Sequence, residues 1–427
     1  MNFSSLGLQY IRRTVTKCTV LEFGEKFTKV GLSGESTPRV VYSTPKWPTS
    51  EFGVVSVKEW VRYFRSFFHE MYFEILLANP KKTQVVVCEE LYWSYQLKKA
   101  MYDVLFELGV KGVLMVPAIA QPTYLFPSGV HYAIMIDIGY STTRVAAISD
   151  RAVVTSSIQA SEIGMKVVVD RLRQLLVQTG GFMLNGKELG RAESTQVMKK
   201  VPDSVLEDIL AKYILVPQRH IEGKRAGYTD CEYPAYIQDN GNLSILWLTI
   251  SPEARAKSTE ALFDSVDTPG EGGSLPELVA KCLEKCSCET RAEVVSSVAF
   301  IGGGSSILGI QERVMAELDV ICSRNETLKA LAGRFKLTET KFPPSMRTWT
   351  GASVSCALGL SLSSFKKEPY SKLSDVPDWS RTTVTDLEAE RKAKEEKENA
   401  KIEERESSRR ESAIDSAWGV EAAAELT

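Results

Sequence analysis

The chain has 427 residues, a formal net charge of −2 and 44% hydrophobic residues. Because compact domains hold roughly 100–200 residues, this length predicts two lobes and not one core. The balanced charge gives no indication of binding to nucleic acid or anionic membrane, and no apolar run reaches the roughly 18 residues that a membrane span needs.

Residue types that carry chemistry are scattered along the chain. The eight cysteines include no C-x-x-C pair, and Cys282, Cys286 and Cys288 lack a second cluster at zinc-binding spacing. The three histidines form no metalloprotease or nucleophile–base pattern. Residues 1–17 lack the apolar core of a secretory signal, and we interpret them as an N-terminal extension. We therefore expect free thiols and no metal site.

The first part of the chain predicts alternating strands and helices. Residues 19–42 indicate two or three strands. Ser56 and Glu59 form a capping box that starts a helix, and aromatic residues follow at helical spacing. The run TQVVVCEE, residues 83–90, predicts a buried parallel strand, and a further helix and strand follow it. This alternation favours an α/β fold.

One pattern occurs twice in the chain. The segments VLEFG (20–24) and IMIDIG (134–139) each combine an apolar strand, an acid, one residue and a glycine, and a second strand follows each. This repetition predicts a duplicated lobe. A third strand runs into three glycines within residues 298–318, where Ser305 or Ser306 is predicted to cap the helix that follows.

The C-terminal segment differs in composition from the rest. Residues 386–412 are mostly Glu, Lys and Arg, with favourable i,i+4 pairs of opposite charge. They show no heptad seam, which disfavours a coiled coil. A solvated helix and a disordered arm are both compatible with this composition.

These motifs, together with TWTGASVSCAL (348–358), resemble the actin superfamily in the order in which they occur. The resemblance covers roughly residues 18–375. It implies an α/β, actin-like two-lobed fold of duplicated ribonuclease H-like domains, with the outer DNase-loop subdomain largely deleted and a charged C-terminal tail. The implied divisions are an N-terminal extension at 1–17, a first lobe with a truncated outer subdomain at 18–130, a second lobe at 131–345, C-terminal helices returning to the first lobe at 346–380, and a charged helical or disordered tail at 381–427.

The resemblance also implies a degenerate nucleotide site between the lobes, for ATP or ADP with Mg²⁺. In the actin fold each hairpin offers backbone N–H groups to the phosphates, and glycine lets the backbone approach them. Asp137 would act on the metal through Mg²⁺-bound water, so no direct metal ligand is predicted. The implied nucleotide-binding residues are Gly24, Lys29, Asp137, Gly139, Gly302 and Gly303.

Several positions depart from the family pattern. Glu22 replaces the leading aspartate of the first hairpin, Glu25 replaces a serine, and Tyr140 replaces the second acid of the second hairpin. Ala120 falls on the glutamine that orients water, a role that Gln121 could take with a one-residue shift. Two further glycines are replaced, by Lys26 and Ser141. A carboxylate about 4 Å from a phosphate charge costs roughly 4 kcal/mol at an effective dielectric near 20. We therefore expect ATP hydrolysis to be weak or absent and the protein not to be an enzyme, while nucleotide occupancy stays open.

The connector after the first hairpin is the most informative departure. In actins this segment folds into an outer subdomain whose loop inserts into the next protomer. Here only 17 residues lie between Arg39 and Val57, too few for a subdomain with its own core. The opposite filament surface is implied to include Phe126 and Leu358. Because filaments grow by head-to-tail contacts, a protomer that lacks one face ends the polymer.

Together with this missing face, the resemblance implies a non-catalytic structural subunit that caps the pointed end of the short actin-like filament of dynactin and supports dynein-driven transport in the cytoplasm and cytoskeleton. The resemblance implies two sets of partners, the actin-like filament subunits of dynactin and its other pointed-end capping subunits. Nucleic acid is not predicted as a partner. Two alternatives stay open: an actin-fold ATPase, and a nuclear actin-related subunit of a chromatin-remodelling complex.

Overall fold

The computed structural model of the protein describes residues 18–49, 54–218, 229–239, 242–264 and 273–359. The predicted N-terminal extension, the charged tail and the end of the 346–380 division lie outside these residues. Within them, two five-stranded sheets flanked by helices confirm the predicted α/β class. No helix in this part of the chain is long and apolar enough to cross a membrane.

The first lobe is built on one mixed sheet. Its strands are β1 Cys18–Phe23, β2 Phe27–Leu32, β3 Val40–Ser43, β4 Gln84–Glu89 and β5 Val113–Pro117. Their order is β3-β2-β1-β4-β5, with β1 antiparallel to β2 and parallel to β4. The strands predicted between residues 19 and 42, and the buried parallel strand predicted at 83–90, are therefore confirmed.

Two helices pack on this sheet, α1 Val57–Glu70 and α2 Tyr95–Glu107. The predicted capping box is present: the Ser56 hydroxyl accepts from the Glu59 N–H, and the Glu59 carboxylate accepts from the Ser56 N–H at 2.8 Å. Trp60, Phe64 and Phe67 are buried on the inner face of α1, as their spacing predicts. A π-helical turn, Met71–Ile75, follows α1 directly.

The connector between β3 and α1 lies against the first lobe. Of its residues the structure describes 44–49 and 54–56, which contain no strand or helix. The Trp47 indole stacks on the Phe23 ring, with ring centroids 5.4 Å apart and planes 7° apart. The Tyr63 hydroxyl donates to the Pro45 carbonyl oxygen at 2.8 Å. Because β1 carries Phe23 and α1 carries Tyr63, these contacts hold the connector against both elements.

The second lobe contains two sheets. Its strands are β6 Tyr132–Ile138, β7 Thr143–Ser149, β8 Ala152–Val153, β9 Gln159–Ser161, β10 Gly181–Leu184, β11 Lys187–Glu188, β12 Cys231–Asp239, β13 Asn242–Ile250 and β14 Val298–Ile301. One sheet has the order β14-β6-β7-β8, with β9 also paired to β7. The other, β11-β10-β13-β12, is antiparallel and was not predicted from the sequence.

Seven helices surround the described sheets of the second lobe, and an eighth follows them. They are α3 Met165–Thr179, α4 Arg191–Met198, α5 Asp203–Tyr213, α6 Pro252–Lys257, α7 Leu275–Glu284, α8 Cys288–Val294, α9 Ile310–Arg324 and α10 Pro344–Ala357. Helix α10 contacts both lobes. The fully buried Trp349 donates to the Val20 carbonyl oxygen at 3.0 Å, and Arg347 donates to that of Phe300 at 2.7 Å.

Candidate functional site

Two glycine turns face each other where the lobes meet. At the β1–β2 turn the Gly24 N–H donates to the Phe27 carbonyl oxygen at 3.2 Å, and at the β6–β7 turn the Gly139 N–H donates to that of Thr142 at 3.0 Å. A Cβ atom at either glycine would stand 2.8 Å or 2.7 Å from that same oxygen. Both turns therefore require glycine for a structural reason, whatever else they do.

The two hairpins also share an acid opposite a base. Glu22 pairs across the strands with Lys29, and Asp137 pairs with Arg144. The Lys29 Nζ lies 2.5 Å from Glu22 Oε1, and the Arg144 Nη1 lies 3.5 Å from Asp137 Oδ2. The base follows the acid at the same distance along the chain in both hairpins, which extends the duplication seen in the sequence.

One ion pair of this cluster crosses between the lobes. Arg144, on β7, places its Nη2 2.7 Å from Oε2 of Glu90, which directly follows β4 of the first lobe. Three carboxylates, of Glu22, Glu90 and Asp137, thus share two cations. Sequence analysis missed Arg144 and Glu90. The spacing that places Lys29 after Glu22 would have identified Arg144.

Burial sets the electrostatics of this cluster. Desolvation raises the pKa of the Glu22, Glu90 and Asp137 carboxyls above their usual values. The Lys29 ammonium opposes this rise in pKa at Glu22, and the Arg144 guanidinium opposes it at the other two. Each cation therefore compensates the negative charge of a carboxylate that would otherwise be buried unpaired.

The glycines that follow β14 lie beside the second hairpin. Gly302 has φ +82°, and a Cβ atom there would stand 2.5 Å from Asp137 Oδ1. Gly303 has open space around it. The predicted serine cap of the next helix is wrong, because Gly309, at φ +86°, precedes α9 and the Ser305 hydroxyl instead donates to the Ile301 carbonyl oxygen.

Above the buried cluster, the tips of the hairpins touch. The Ser141 hydroxyl of the second tip donates to Glu25 Oε1 of the first tip at 2.7 Å. The Lys26 ammonium lies 2.6 Å from Oε1 of Glu207 on α5, and 4.8 Å from the centroid of the Tyr140 ring. These contacts join the first lobe to the second at the mouth of the cleft.

The residue that the resemblance places at the water-orienting glutamine is buried. Ala120 belongs to the 3₁₀ segment Ala118–Leu125 and is 1% exposed. Its neighbour Gln121 donates to the Pro117 carbonyl oxygen at 3.2 Å and accepts from the Ser355 hydroxyl at 3.2 Å. The side chain of Gln121 is therefore held between its own segment and α10.

The hairpins do not fit the phosphate tail of a nucleotide as they stand. Their glycines have the turn geometry that the resemblance implies. The Glu25 carboxylate, however, already accepts from Ser141, the residue that faces it across the cleft. Lys29 and Arg144 already face carboxylates. An incoming phosphate would meet the Glu25 carboxylate at the tips and would compete with other carboxylates for Lys29 and Arg144.

The predicted filament residues occupy two different settings. Phe126 ends the 3₁₀ segment and packs, partly buried, against a core cluster that includes Ile119 and Ile158. Leu358 ends α10 and is 66% exposed. Of the two, Leu358 has the exposure that a contact residue needs. No metal-holding group of three or more His, Cys, Asp or Glu side chains occurs among the described residues.

The chain matches the Actin family over residues 51–372, which is more than half of its length, and therefore belongs to that family. The predicted actin-like two-lobed fold is confirmed by this match together with the α/β architecture. Actin family proteins typically bind ATP or ADP with Mg²⁺.

Individual relatives are distant. Actin-related protein 4 of Oryza sativa subsp. indica is 26% identical over 325 residues, which cover 70% of this chain and 69% of the relative. Actin-related protein 10 of Dictyostelium discoideum is 21% identical over 436 residues, which cover 85% of this chain and 89% of the relative. Actin-related protein 4 of Arabidopsis thaliana is 24% identical, with 70% of each chain covered. The chain is thus similar both to Actin-related protein 4 and to Actin-related protein 10 of other organisms.

Proposed function

We propose that the protein is a non-catalytic, structural actin-related subunit that caps the pointed end of the short actin-like filament of dynactin. Its partners are then the neighbouring filament subunits and the other pointed-end capping subunits, in the cytoplasm. The observation that carries the proposal is the short connector between β3 and α1. The extent of the match to Actin-related protein 10, over most of both chains, supports it.

The outer face of the first lobe supports a terminal position. Trp47 packs on Phe23 of β1 and on Trp60 of α1, and Pro45 accepts from Tyr63 of α1, so the connector is fixed where an actin would extend its outer subdomain. A groove of about 500 Å³ lies between the connector and α1, lined in part by Pro48, Arg62 and Phe67. A surface of this kind offers a second protein shallow apolar contacts and charge. The described residues of the connector, 44–49 and 54–56, form no arm that could reach into a further subunit.

The opposite surface keeps the means to join a filament end. Leu358 stands exposed at the end of α10, a helix anchored in both lobes through Trp349 and Arg347. Head-to-tail growth needs two complementary faces on every protomer. A protomer with this surface and without the outer subdomain would add to an end and would stop further addition.

Filament growth tests the proposal directly. Purified protein is added to growing actin-like filaments whose two ends are distinguished by label. We expect growth to stop at the pointed end and to continue at the other end. Growth that passes through the protein at both ends would refute the capping role. In a separate assay, the purified protein alone with Mg-ATP should release no phosphate above background.

A second candidate is a nuclear actin-related subunit of a chromatin-remodelling assembly, because the chain matches Actin-related protein 4 and Actin-related protein 10 at similarly low identity. Such subunits usually carry insertions in their outer subdomains, whereas this chain has a shortened connector. Fractionation of cells, with identification of the chains that copurify with the endogenous protein, separates the candidates. Recovery with dynactin subunits supports the first, and recovery with remodelling subunits in nuclear fractions would replace it.

A further inference from the structure

We propose that the cleft between the lobes is held closed by the protein's own side chains, in the place where a nucleotide would otherwise join the two hairpins. The residues are Glu25 and Lys26 of the first tip, Tyr140 and Ser141 of the second tip, and Glu207 of α5. We call this group the cleft latch. The inference concerns the cleft alone and does not depend on capping or on any partner.

The contacts of the latch tie one hairpin tip to two places in the second lobe. Glu25 and Lys26 are adjacent at the tip of one hairpin, yet they contact two different elements of the second lobe. Glu25 accepts from the Ser141 hydroxyl at the opposing tip, whereas Lys26 reaches Glu207 on α5. The latch therefore has two attachment points in the second lobe, and separating the lobes breaks both.

The groups of the latch make the kinds of contact that a bound phosphate would make. A phosphate bound between such tips would accept hydrogen bonds from a hydroxyl and would lie near an ammonium group. In the latch the Glu25 carboxylate takes the hydroxyl, and the Glu207 carboxylate takes the ammonium of Lys26. The face of the Tyr140 ring gives Lys26 a further favourable contact. Two carboxylates thus occupy the roles that phosphate oxygens would fill.

A second layer of contacts between the lobes lies beneath the latch. The ion pair of Arg144 with Glu90 joins the same two lobes at 2.7 Å, and its side chains are only 13% and 21% exposed. The latch lies nearer to solvent, with 32% and 24% exposure for Lys26 and Glu207. The cleft is therefore closed at two depths, and both closures are made by residues of the chain itself.

Carbodiimide crosslinking tests the latch in the wild-type protein. The reagent converts a carboxylate into an O-acylisourea, and an adjacent lysine amine displaces the urea to form an amide. The crosslink therefore reports an ion pair as a covalent bond. We expect a bond between Lys26 and Glu207 in mass spectra of digested protein prepared without nucleotide. The exposed pair Lys212–Asp208, 2.7 Å apart within α5, is the internal control for the reagent.

Both outcomes of this experiment are decisive. If the control bond forms and the Lys26–Glu207 bond does not, the latch does not exist. We also expect millimolar Mg-ATP to leave the yield of the Lys26–Glu207 bond unchanged. A yield that falls by more than half on addition of Mg-ATP would show that nucleotide opens the tips, and would overturn the inference.

A variant provides an independent test with the opposite sign. Glu25→Ala with Glu207→Ala removes both carboxylates and frees the Ser141 hydroxyl and the Lys26 ammonium to donate to phosphate. We expect this double variant to bind Mg-ATP at least tenfold more tightly than the wild type in equilibrium dialysis, a factor that equals about 1.4 kcal/mol. Wild-type binding as tight as that of the variant would overturn the inference.

A matched double variant controls for the change in net charge. Glu107→Ala with Glu232→Ala also removes two exposed carboxylates, and neither residue lies at the cleft. It should bind Mg-ATP no better than the wild type. Circular dichroism of all three proteins checks folding, and the crosslinking experiment on the wild type remains valid if a variant fails to fold. Failure of the latch would leave the filament-growth result, and so the capping proposal, unchanged.

Discussion

Replacement of Arg144 by methionine isolates the energetic role of the buried ion cluster. Arg144 is the single described cation that contacts both Glu90, at 2.7 Å, and Asp137, at 3.5 Å. The side chains of the three residues are between 13% and 21% exposed. Methionine keeps much of the length and apolar volume of the arginine stem and removes the charge. The variant therefore leaves two largely buried carboxylates without a guanidinium.

The expected loss of stability is about 3 kcal/mol. Removing one partner of a buried ion pair costs roughly 3–5 kcal/mol, because the remaining charge is left uncompensated. We take the lower end of that range because the carboxylates of Glu90 and Asp137 keep some exposure to water. The corresponding change at the exposed pair Arg65–Glu107, whose side chains are 60% and 54% exposed, should have an effect close to zero.

The loss should also depend on pH in a definite direction. In the wild type, burial raises the pKa of Glu90 and Asp137, and Arg144 opposes the rise. Without Arg144 both pKa values rise further above the unfolded values, which lie near 4. At pH values between the unfolded and the folded pKa, the folded variant holds protons that the unfolded chain has released, so its stability falls as pH rises. The deficit of Arg144→Met should therefore be larger at pH 8 than at pH 5.

Urea denaturation of the wild type, Arg144→Met and Arg65→Met across this pH range measures the effect. The midpoint of Arg144→Met should shift down strongly at high pH and recover part of the shift at low pH, while Arg65→Met should track the wild type throughout. Equal deficits at pH 5 and pH 8, or a deficit below about 1 kcal/mol, would refute the view that Arg144 compensates buried charge.

Three further substitutions test separate parts of the structure. Gly302→Ala should lower stability by at least about 2 kcal/mol, because alanine is strained at φ +82° and its Cβ would meet a carboxylate oxygen at 2.5 Å. The control variant Gly303→Ala, at a glycine with open space around it, should be nearly neutral. Equal thermal midpoints for the two variants would contradict this prediction. Trp47→Ala should cost about 2–3 kcal/mol in denaturant, since the indole stacks on Phe23, and an unchanged midpoint would mean that the connector is not held there. Leu358→Asp should leave the thermal midpoint unchanged, because the side chain is 66% exposed, but should weaken binding to filament ends in cosedimentation; normal binding would exclude Leu358 from the filament surface.

The sequence predicts those parts of the fold that rest on local signals. The capping box at Ser56 and the acid-x-glycine turns depend on residues within a few positions of each other, so their patterns are visible in one chain. The sheet β11-β10-β13-β12 was missed, although a signal existed. In the sequence, Asn240 and Gly241 stand between two runs of β-forming residues, a strong hairpin indication. Residues 242–250 also alternate between buried and exposed positions.

The candidate site was predicted only in part, for a different physical reason. The glycines of the hairpins follow from backbone geometry, which the motif specifies. The contacts of Arg144 with Glu90, of Ser141 with Glu25 and of Lys26 with Glu207 join segments far apart in the chain, and such pairings depend on how the lobes meet. Sequence analysis treated Glu25 and Lys26 as losses from a nucleotide site. The structure places both in new contacts across the cleft.

The closed cleft and the proposed filament surface are connected through α10. This helix donates a hydrogen bond to each lobe, from Trp349 to the Val20 carbonyl oxygen and from Arg347 to the Phe300 carbonyl oxygen. The exposed Leu358 follows its last turn. Its close packing on the 3₁₀ segment, where a Cβ at Gly351 would stand 2.0 Å from the Gln121 carbonyl oxygen, leaves little room to slide. Any opening of the lobes must therefore strain α10 or move Leu358. Side chains that keep the cleft shut would then also fix the surface offered to a filament, so a terminal subunit could present it without first binding nucleotide.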